Sequence, residues 1–219
     1  MATTELTKTD AVTVRRKKER ADYQRASANA ILDEALVAHV GITVDGQPFV
    51  IPMAFGRDDD RLILHGSNGS RLLKALAQGG PVCVTVTLLD AIVFARSQFH
   101  TSMNYRSVVI VGNARPITDL EEKRVAMERL DEHVIPGRAA EARPSTDAEL
   151  KQIIAIEVPI DTASVKARTE GVLDDAEDLD LDIWAGIVPV TTHFGTPIAE
   201  PDLKEGVPLA VSASPYRRP

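Results

Sequence analysis

Strand-like segments follow one another along this chain with few helices between them, and this order constrains the fold more than any other feature. The first two segments, 39–44 and 48–55, are joined by Asp45-Gly46, a dipeptide typical of a tight hairpin turn. Further strands are predicted at 61–65, 82–88, 91–96, 105–112, 152–160 and 163–169. Because parallel strands need a crossover helix between them, the pattern favours an antiparallel barrel over a doubly wound sheet.

Apolar residues recur at helical spacing in three places among these strands. One helix is predicted over 15–35, one after Ser70, and one over 120–134, for which Thr118 or Asp119 is the expected N-cap. These helices are too few to alternate with the strands. We therefore expect them to flank the barrel.

The composition suits one folded domain without a nucleic-acid or membrane partner. The 219 residues predict a flexible arm at 1–14, a single domain at 15–200 and a tail at 201–219. The net charge of −7 argues against binding to a phosphate backbone. No segment has the ~18 apolar residues of a membrane span. Cys83 is the only cysteine, which excludes an intramolecular disulfide and, with the polar start of the chain, favours the cytoplasm.

The first candidate binding segment is 65–74, HGSNGSRLLK, at a predicted strand-to-helix junction. Ser67 and Ser70 offer hydroxyls, and Arg71 and Lys74 lie just inside the helix. Hydroxyls, a guanidinium and the free N–H groups of a helix start suit a phosphate. The spacing differs from that of a P-loop, and the same residues also suit an ordinary capped helix with exposed basic side chains.

Two later segments also offer groups for a cofactor. Residues 97–107, SQFHTSMNYRS, concentrate amide, hydroxyl, imidazole and guanidinium donors between two apolar strands. Such donors suit the edge of a flavin ring or a phosphate, and they equally suit a polar hairpin loop. Trp184 is the only tryptophan and lies beside a short apolar segment. It is suited either to stack on a ring cofactor or to fill core or interface space.

Other reactive groups give weaker signals. The five histidines lack the spacing of a zinc site, so no metal site is predicted. The chain contains no G-x-S-x-G nucleophile motif and no G-x-G-x-x-G after a strand. A serine hydrolase and a Rossmann dinucleotide site are therefore not predicted.

Seven short stretches together carry a resemblance to a known family. They read FVIPM at 49–53, HGS at 65–67, SRLL at 70–73, VCVTVT at 82–87, ARS at 95–97, SMNYRSV at 102–108 and WAGIVP at 184–189. The chain resembles the pyridoxamine 5′-phosphate oxidase-related FMN-binding split-barrel family, and within it the nitroimidazole-reductase-like flavoproteins. The similarity runs from about Ala30 to Val190, and its most specific stretches are HGS and SMNYRS.

The resemblance implies a mostly β fold, a six-stranded antiparallel split β-barrel with flanking helices, that forms a homodimer with two FMN molecules between the subunits. By the same resemblance, the residues that would hold the FMN phosphate are Ser67, Ser70 and Arg71. The residues expected to contact FMN are Pro52, Met53 and Ala54 through their backbone, His65, Ser67, Ser70, Arg71, Asn104, Tyr105, Arg106, Ser107 and Trp184. Trp184 would approach the flavin of the partner chain. The paired basic residues with which true pyridoxamine phosphate oxidases hold their substrate are not recognisable, so oxidation of vitamin B6 is not expected.

The favoured function is an FMN-dependent oxidoreductase that passes electrons between a small-molecule donor and a small-molecule acceptor. Arg106 is the candidate to stabilise the charge of the reduced flavin, and His65 or Tyr105 is the candidate to protonate a substrate. Two alternatives remain open. One is a non-catalytic flavin or haem protein for storage, sensing or delivery. The other is a deazaflavin-dependent reductase, which the acidic balance of the chain makes less attractive.

Overall fold

The computed structural model describes residues 4–214 and 216. Residues 1–3 of the predicted arm, and 215 and 217–219 of the predicted tail, lie outside the described residues. The helices are α1 (Arg25–Glu34), α2 (Arg71–Leu76), α3 (Leu120–Val134) and α4 (Asp147–Leu150). The strands are β1 (Ala21–Asp22), β2 (Val37–Val44), β3 (Gln47–Ala54), β4 (Gly56–Asp58), β5 (Arg61–Ser67), β6 (Pro81–Phe94), β7 (Ser102–Asn113), β8 (Arg115–Ile117), β9 (Ile153–Pro159), β10 (Ala163–Arg168) and β11 (Gly186–Pro189).

Two antiparallel sheets enclose the core and leave the barrel open. The larger sheet has the strand order β1-β10-β7-β6-β2-β3, with β11 also paired to β6, and the smaller sheet has the order β4-β5-β9-β8. The predicted mostly β, antiparallel split barrel is confirmed. Four of the eleven strands, β1, β4, β8 and β11, are short pieces of two to four residues, and the seven longer strands are one more than the six expected.

The sharp turn between β2 and β3 follows from two residues. Val44 pairs with Gln47, so Asp45 and Gly46 alone form the loop. Both have positive φ, 51° for Asp45 and 76° for Gly46, as the mirror-image turns that match strand twist require. The hairpin predicted from Asp45-Gly46 is confirmed.

A single strand, β6, replaces the two strands predicted at 82–88 and 91–96. It pairs with β7 along nearly its whole length, and the register shifts between Leu89 and Ala91. Asp90 is the extra residue of this irregularity. A β-bulge accommodates one additional residue without ending the strand, so the charged residue that suggested a break lies within a continuous ladder.

The helix predicted over 15–35 is shorter in the structure and begins at Arg25. Lys17 has a left-handed backbone conformation, and a 3-10 turn and the strand β1 precede the helix. The side chain of Arg25 is 8% exposed and forms ion pairs with Asp60 at 3.0 Å and Asp161 at 3.2 Å. These bonds fix the start of α1 against two loops, which local helical spacing alone does not reveal.

The described part of the predicted arm packs on the domain rather than hanging loose. Leu6 and Val12 are buried. The backbone N–H of Leu6 donates to the carbonyl of Tyr23, and that of Thr7 donates to the carbonyl of Asp161. Two buried apolar side chains in a polar stretch are a weak sequence signal, which explains why the pattern favoured a flexible segment.

Helix α3 closes the outer side of the smaller sheet. It spans the residues predicted from periodicity, and Asp119 caps it by accepting from the N–H groups of Glu121 and Glu122. A Cβ atom at Gly56 would lie 2.6 Å from the Cα of Leu130, so the helix can approach β4 only over a glycine. None of the helices in the described part of the chain is long and apolar enough to cross a membrane.

The chain after β11 runs without helix or strand to a 3-10 turn at Val211–Ala213. Glu141 anchors this turn, because its carboxylate accepts from the backbone N–H of Val211 at 2.8 Å and from the hydroxyl of Ser212. The Tyr216 hydroxyl donates to the carbonyl of Val134 at the end of α3. The far end of the tail therefore returns to the domain.

We expect Gly56→Ala to lower the free energy of unfolding by about 1–3 kcal/mol, because the new methyl group forces α3 away from β4. Gly171→Ala is the matched control, since a Cβ there meets nothing within 4 Å, and we expect it to stay within about 0.5 kcal/mol of the parent. Urea unfolding followed by circular dichroism measures both. Equal midpoints for the two variants would contradict the close approach.

Candidate functional site

The residues predicted to bind a cofactor fall into two groups in the structure. Pro52, Met53 and Ala54 lie on β3, at one edge of the larger sheet. The segment 104–107 lies on β7, three strand positions away. Neighbouring strands are ~4.8 Å apart, so the two groups are separated by roughly 14 Å across the sheet. The predicted cofactor residues therefore lie at separate places on the sheet.

The outer face of the larger sheet, meaning the side turned away from the barrel core, carries exposed apolar residues among polar ones. Paired residues of antiparallel strands point to the same face, so Pro52, His39 and Thr85 form one row across β3, β2 and β6. Val50 is 63% exposed and Leu89 is 42% exposed on this face. Exposed apolar residues that lie together on one face are a candidate interaction surface.

Along β3, alternate residues point to opposite sides of the sheet. Pro52 and Ala54 are exposed on the outer face, whereas Met53 packs against the core. At the other end of the strand, the guanidinium of Arg71 lies 4.0 Å from the ring centroid of Phe49. This cation–π contact places the basic group at the start of β3.

The two serines of the β5–α2 segment shape the turn. Ser67 accepts at its hydroxyl from the N–H of Gly69 at 3.1 Å, and Ser70 caps α2 by accepting from the N–H of Leu73 at 3.3 Å. The helix has only six residues. Arg71 is thus the residue of this segment that offers a full positive charge toward β3.

His65 lies on the other side of its strand from the barrel core. Leu64 belongs to the core, and the alternation of β5 turns His65 toward α3, where Asp131 is its charged neighbour. Burial lowers the pKa of His65 and raises that of Asp131, so both groups are shifted toward their neutral forms. The buried Nδ1 of His65 has no hydrogen-bond partner among the described residues. The structure does not bring this imidazole together with Arg71.

Asn104 and Ser107 on β7 are bonded within the chain. Asn104 is buried, and its side-chain oxygen accepts from the guanidinium of Arg168. Arg168 is itself buried and also donates to the carbonyls of Glu170 and Gly171, each at 2.9 Å. Ser107 donates to the carbonyl of Lys166 at 3.0 Å. Both predicted cofactor donors therefore stabilise the β7–β10 pairing and the turn that follows β10.

Arg106 is held between two carboxylates that the sequence reasoning missed. Its guanidinium donates to Glu34 at 2.5 and 2.9 Å and to Asp90 at 2.8 Å. These bonds raise the pKa of Arg106 above its ordinary value. Together, the two carboxylates carry more negative charge than the guanidinium of Arg106 carries positive charge. Asp90 is the bulge residue of β6, and no motif marks it as a partner of Arg106.

Tyr105 and Trp184 lie at the border of the outer face. Tyr105 pairs with Leu89, whose side chain is exposed on that face. Trp184 is 66% exposed, and its ring contacts Phe94 edge to face at a centroid distance of 5.6 Å. Added to Gly186, a Cβ would lie 2.8 Å from the Trp184 ring, so the glycine admits the indole. Most of the Trp184 surface is therefore open to solvent.

A cleft of about 970 Å³ opens at the end of the barrel near Arg106. Its lining residues are Glu34, Ala35, Leu36, Val37, Thr87, Leu88, Leu89, Asp90, Arg106, Val190, Thr191, Thr192, His193, Phe194 and Tyr216. Arg106 is the one predicted cofactor residue among them. The sequence reasoning missed the cleft because its walls come from segments far apart in the chain, including the tail.

A family model described as pyridoxamine 5′-phosphate oxidase matches residues 24–167, about two thirds of the chain. No protein of curated function matches significantly. Among solved structures, the flavocytochrome Anf3 of Azotobacter vinelandii is 36% identical, with a TM-score of 0.90, and the match covers 96% of this chain and 98% of that one. An FAD and haem binding protein of Mycobacterium smegmatis is 39% identical, with a TM-score of 0.87, and the match covers 91% and 98% of the two chains.

A third solved structure matches over a shorter stretch. It is a candidate 5-nitroimidazole antibiotic resistance protein of Bacteroides thetaiotaomicron, 27% identical with a TM-score of 0.58. The match covers 67% of this chain and 86% of that one. The first two relatives thus share nearly the whole chain, whereas the third shares about the length of the family model.

We expect Asn104→Ala to lower the free energy of unfolding by about 1–3 kcal/mol, because buried Arg168 loses a hydrogen-bond acceptor. Asn104→Asp keeps an acceptor and serves as the matched variant, with a smaller loss. Thermal unfolding of the cofactor-free protein measures both. An unchanged melting temperature for Asn104→Ala would assign the residue to ligand binding alone.

Proposed function

Because the chain belongs to the pyridoxamine 5′-phosphate oxidase family, we propose that it is a flavin-binding redox protein with haem as a second cofactor. The observation that carries this proposal is the pair of relatives that share nearly the whole chain. One is named a flavocytochrome and the other an FAD and haem binding protein. Both are more than 30% identical to this chain.

The groups along β3 fit a flavin. Arg71 stacks on Phe49, which packs against the core at one end of the strand, and Ala54 ends the outer face at the other end. Ala54 follows Phe49 by five positions, so the two ends are ~17 Å apart in an extended strand. A cofactor with a phosphate at one end and an apolar ring at the other suits this spacing. Ser67, exposed beside Arg71 in the fold, is proposed to assist with the phosphate.

The motif resemblance and the name of one relative point to different flavins. The motif resemblance predicts FMN, whereas the Mycobacterium smegmatis relative is named for FAD. Both cofactors share the ring, the ribityl chain and the first phosphate. We therefore propose the β3 site for that shared part, with FMN as the form that the motifs predict. The mass of the flavin released on denaturation distinguishes the two.

A bound flavin supplies hydride and single-electron chemistry, and the chain supplies position and exclusion of water. Arg71 orients the phosphate end, and the apolar outer face shelters the ring. Of the two predicted proton-transfer residues, Tyr105 lies at the border of this face, whereas His65 lies beneath α3. Tyr105 is therefore the proposed proton donor. The electron donor and acceptor are proposed to be small molecules in the cytoplasm, the compartment that the single cysteine favours.

A homodimer is also proposed, with a site shared between the two subunits. The β3 and β7 groups lie roughly 14 Å apart across the sheet. A two-fold pairing of outer faces buries the same patch on both subunits and brings β3 of one chain toward β7 and Trp184 of the other. The exposed apolar residues Val50 and Leu89 support this pairing.

The flavin site is tested by the absorbance spectrum of purified protein and by flavin titration of Arg71→Ala. We expect bound flavin in the parent and about 10- to 100-fold weaker binding in the variant, because a charge-assisted phosphate contact is lost. Arg129→Ala on α3 is the control, since its side chain is 60% exposed and pairs with Asp58 at 3.6 Å. A parent that binds no flavin after reconstitution overturns the proposal.

The dimer is tested at Cys83, an exposed residue of β6 on the outer face. We expect Cys83→Arg to yield monomers, because it buries an unpaired charge in each half of the interface, while Cys83→Ser leaves the dimer intact. Light scattering after size exclusion gives the mass. The second readout is the rate at which the thiol of the parent reacts with a disulfide reagent, which we expect to be slow. A monomeric parent whose thiol reacts fast would contradict this dimer.

A further inference from the structure

The cleft near Arg106 is built largely by residues that follow the family-model match. Val190, Thr191, Thr192, His193, Phe194 and Tyr216 all lie after residue 167. The Phe194 and Tyr216 rings meet edge to face at a centroid distance of 4.6 Å. The last part of the chain thus forms one wall of the cleft, and the end of α1 and the strands β2, β6 and β7 form the other.

The three relatives differ in how much of this chain their matches cover, and the wall lies in the part where the coverage differs. The two that match 96% and 91% of this chain extend well beyond residue 167, and haem or a cytochrome appears in their names. The relative with the 67% match bears a name that mentions neither. The two relatives named for haem or a cytochrome therefore match this chain well beyond the barrel.

The size and lining of the cleft suit a flat, largely apolar macrocycle. Its volume is about 970 Å³, at the upper end of the range typical of cofactor pockets. Apolar side chains line both walls, among them Leu36, Val37, Leu88, Val190 and Phe194. Resting on the proposed function, which includes haem, we propose that this cleft is the haem site and that His193 is an axial ligand of the iron.

His193 is the only histidine among the residues that line the cleft in the described chain. Its Nε2 lies 3.1 Å from the hydroxyl of Thr191. A histidine that ligates a metal commonly makes a hydrogen bond through its other ring nitrogen, which fixes the tautomer and the ring orientation. Among the described residues, no hydrogen bond to Nδ1 is found, and in the tautomer in which Nε2 donates to Thr191 the lone pair of Nδ1 is available for coordination.

The remaining histidines are placed for other roles. His133 accepts or donates at Nε2 with the carbonyl of Ala35 at 3.0 Å and packs on Phe55. His100 contacts Asp175 at 3.0 Å. His65 faces α3, and His39 lies on the outer face proposed for the dimer. A ligand reaching His65 has to displace α3, whereas His193 requires no such movement.

Three charged residues form the floor of the cleft, namely Glu34, Asp90 and Arg106, and their charges restrict which ligands can bind there. Arg106 is bonded to both Glu34 and Asp90, so the three side chains together carry one negative charge. They offer no net attraction for an anionic group. The carboxylates of haem are therefore expected to remain toward solvent, and a compact anion such as inorganic phosphate is not expected to bind here.

The experiment is haemin titration of the full-length protein followed by the Soret band, with the parent, His193→Ala and His100→Ala compared. We expect the parent and His100→Ala to bind alike, and His193→Ala to bind at least about tenfold more weakly with a shifted Soret band. Added imidazole is expected to restore the parent spectrum in His193→Ala. Flavin binding and the far-ultraviolet dichroism of each variant establish that it is folded.

The outcomes separate this inference from the function on which it rests. A parent that binds no haem overturns this inference and the haem part of the proposed function, whereas the flavin part is tested by the flavin titration. A parent that binds haem, with His193→Ala giving the same affinity and spectrum, overturns only the ligand and its cleft. The same conclusion follows if His65→Ala abolishes the Soret band and His193→Ala does not. Flavin binding to β3 is unaffected by any of these results.

Discussion

The pairing of β6 with β2, β7 and β11 is the interaction on which the rest of the structure depends. A β-strand has two edges, and β6 uses different parts of its fourteen residues to pair with three partners. Its inward valines fill the core, while its outward residues form the exposed face. The irregularity at Asp90 places a carboxylate beside Arg106. The strand thus positions the core, the outer face and the floor of the cleft together.

Buried polar groups explain why the predicted donors serve the fold. A buried amide or guanidinium must be hydrogen-bonded, because an unsatisfied one costs about 1–3 kcal/mol. Asn104 and Arg168 satisfy each other, and Ser107 is bonded to the next strand. Exposed polar groups are different, because water can satisfy their hydrogen bonds without a ligand. Arg71 and Trp184 therefore retain more capacity to contact a partner molecule than the buried residues of β7.

The sequence predicts those features that depend on short-range physics. The Asp45-Gly46 hairpin, α3 with its Asp119 cap and the inward alternation of β6 all follow from neighbouring residues. The start of α1 and the contact of Arg106 with Glu34 depend on long-range ion pairs, which no local pattern encodes. The cleft depends on the return of the tail, which contains no periodic segment. The β3 residues were consequently singled out by motif, whereas the cleft that the tail lines was not predicted.

The anchoring of the tail has a practical consequence for handling the protein. Tyr216, whose ring is part of the cleft wall, stands three residues from the carboxyl end of the sequence. Its hydroxyl bond to Val134 and the Glu141 contacts are the last described bonds that hold this end in place. A purification tag fused there would pull on the wall itself. A tag on the opposite end would instead precede the stretch in which Leu6 and Val12 are buried, well separated along the chain from the cleft.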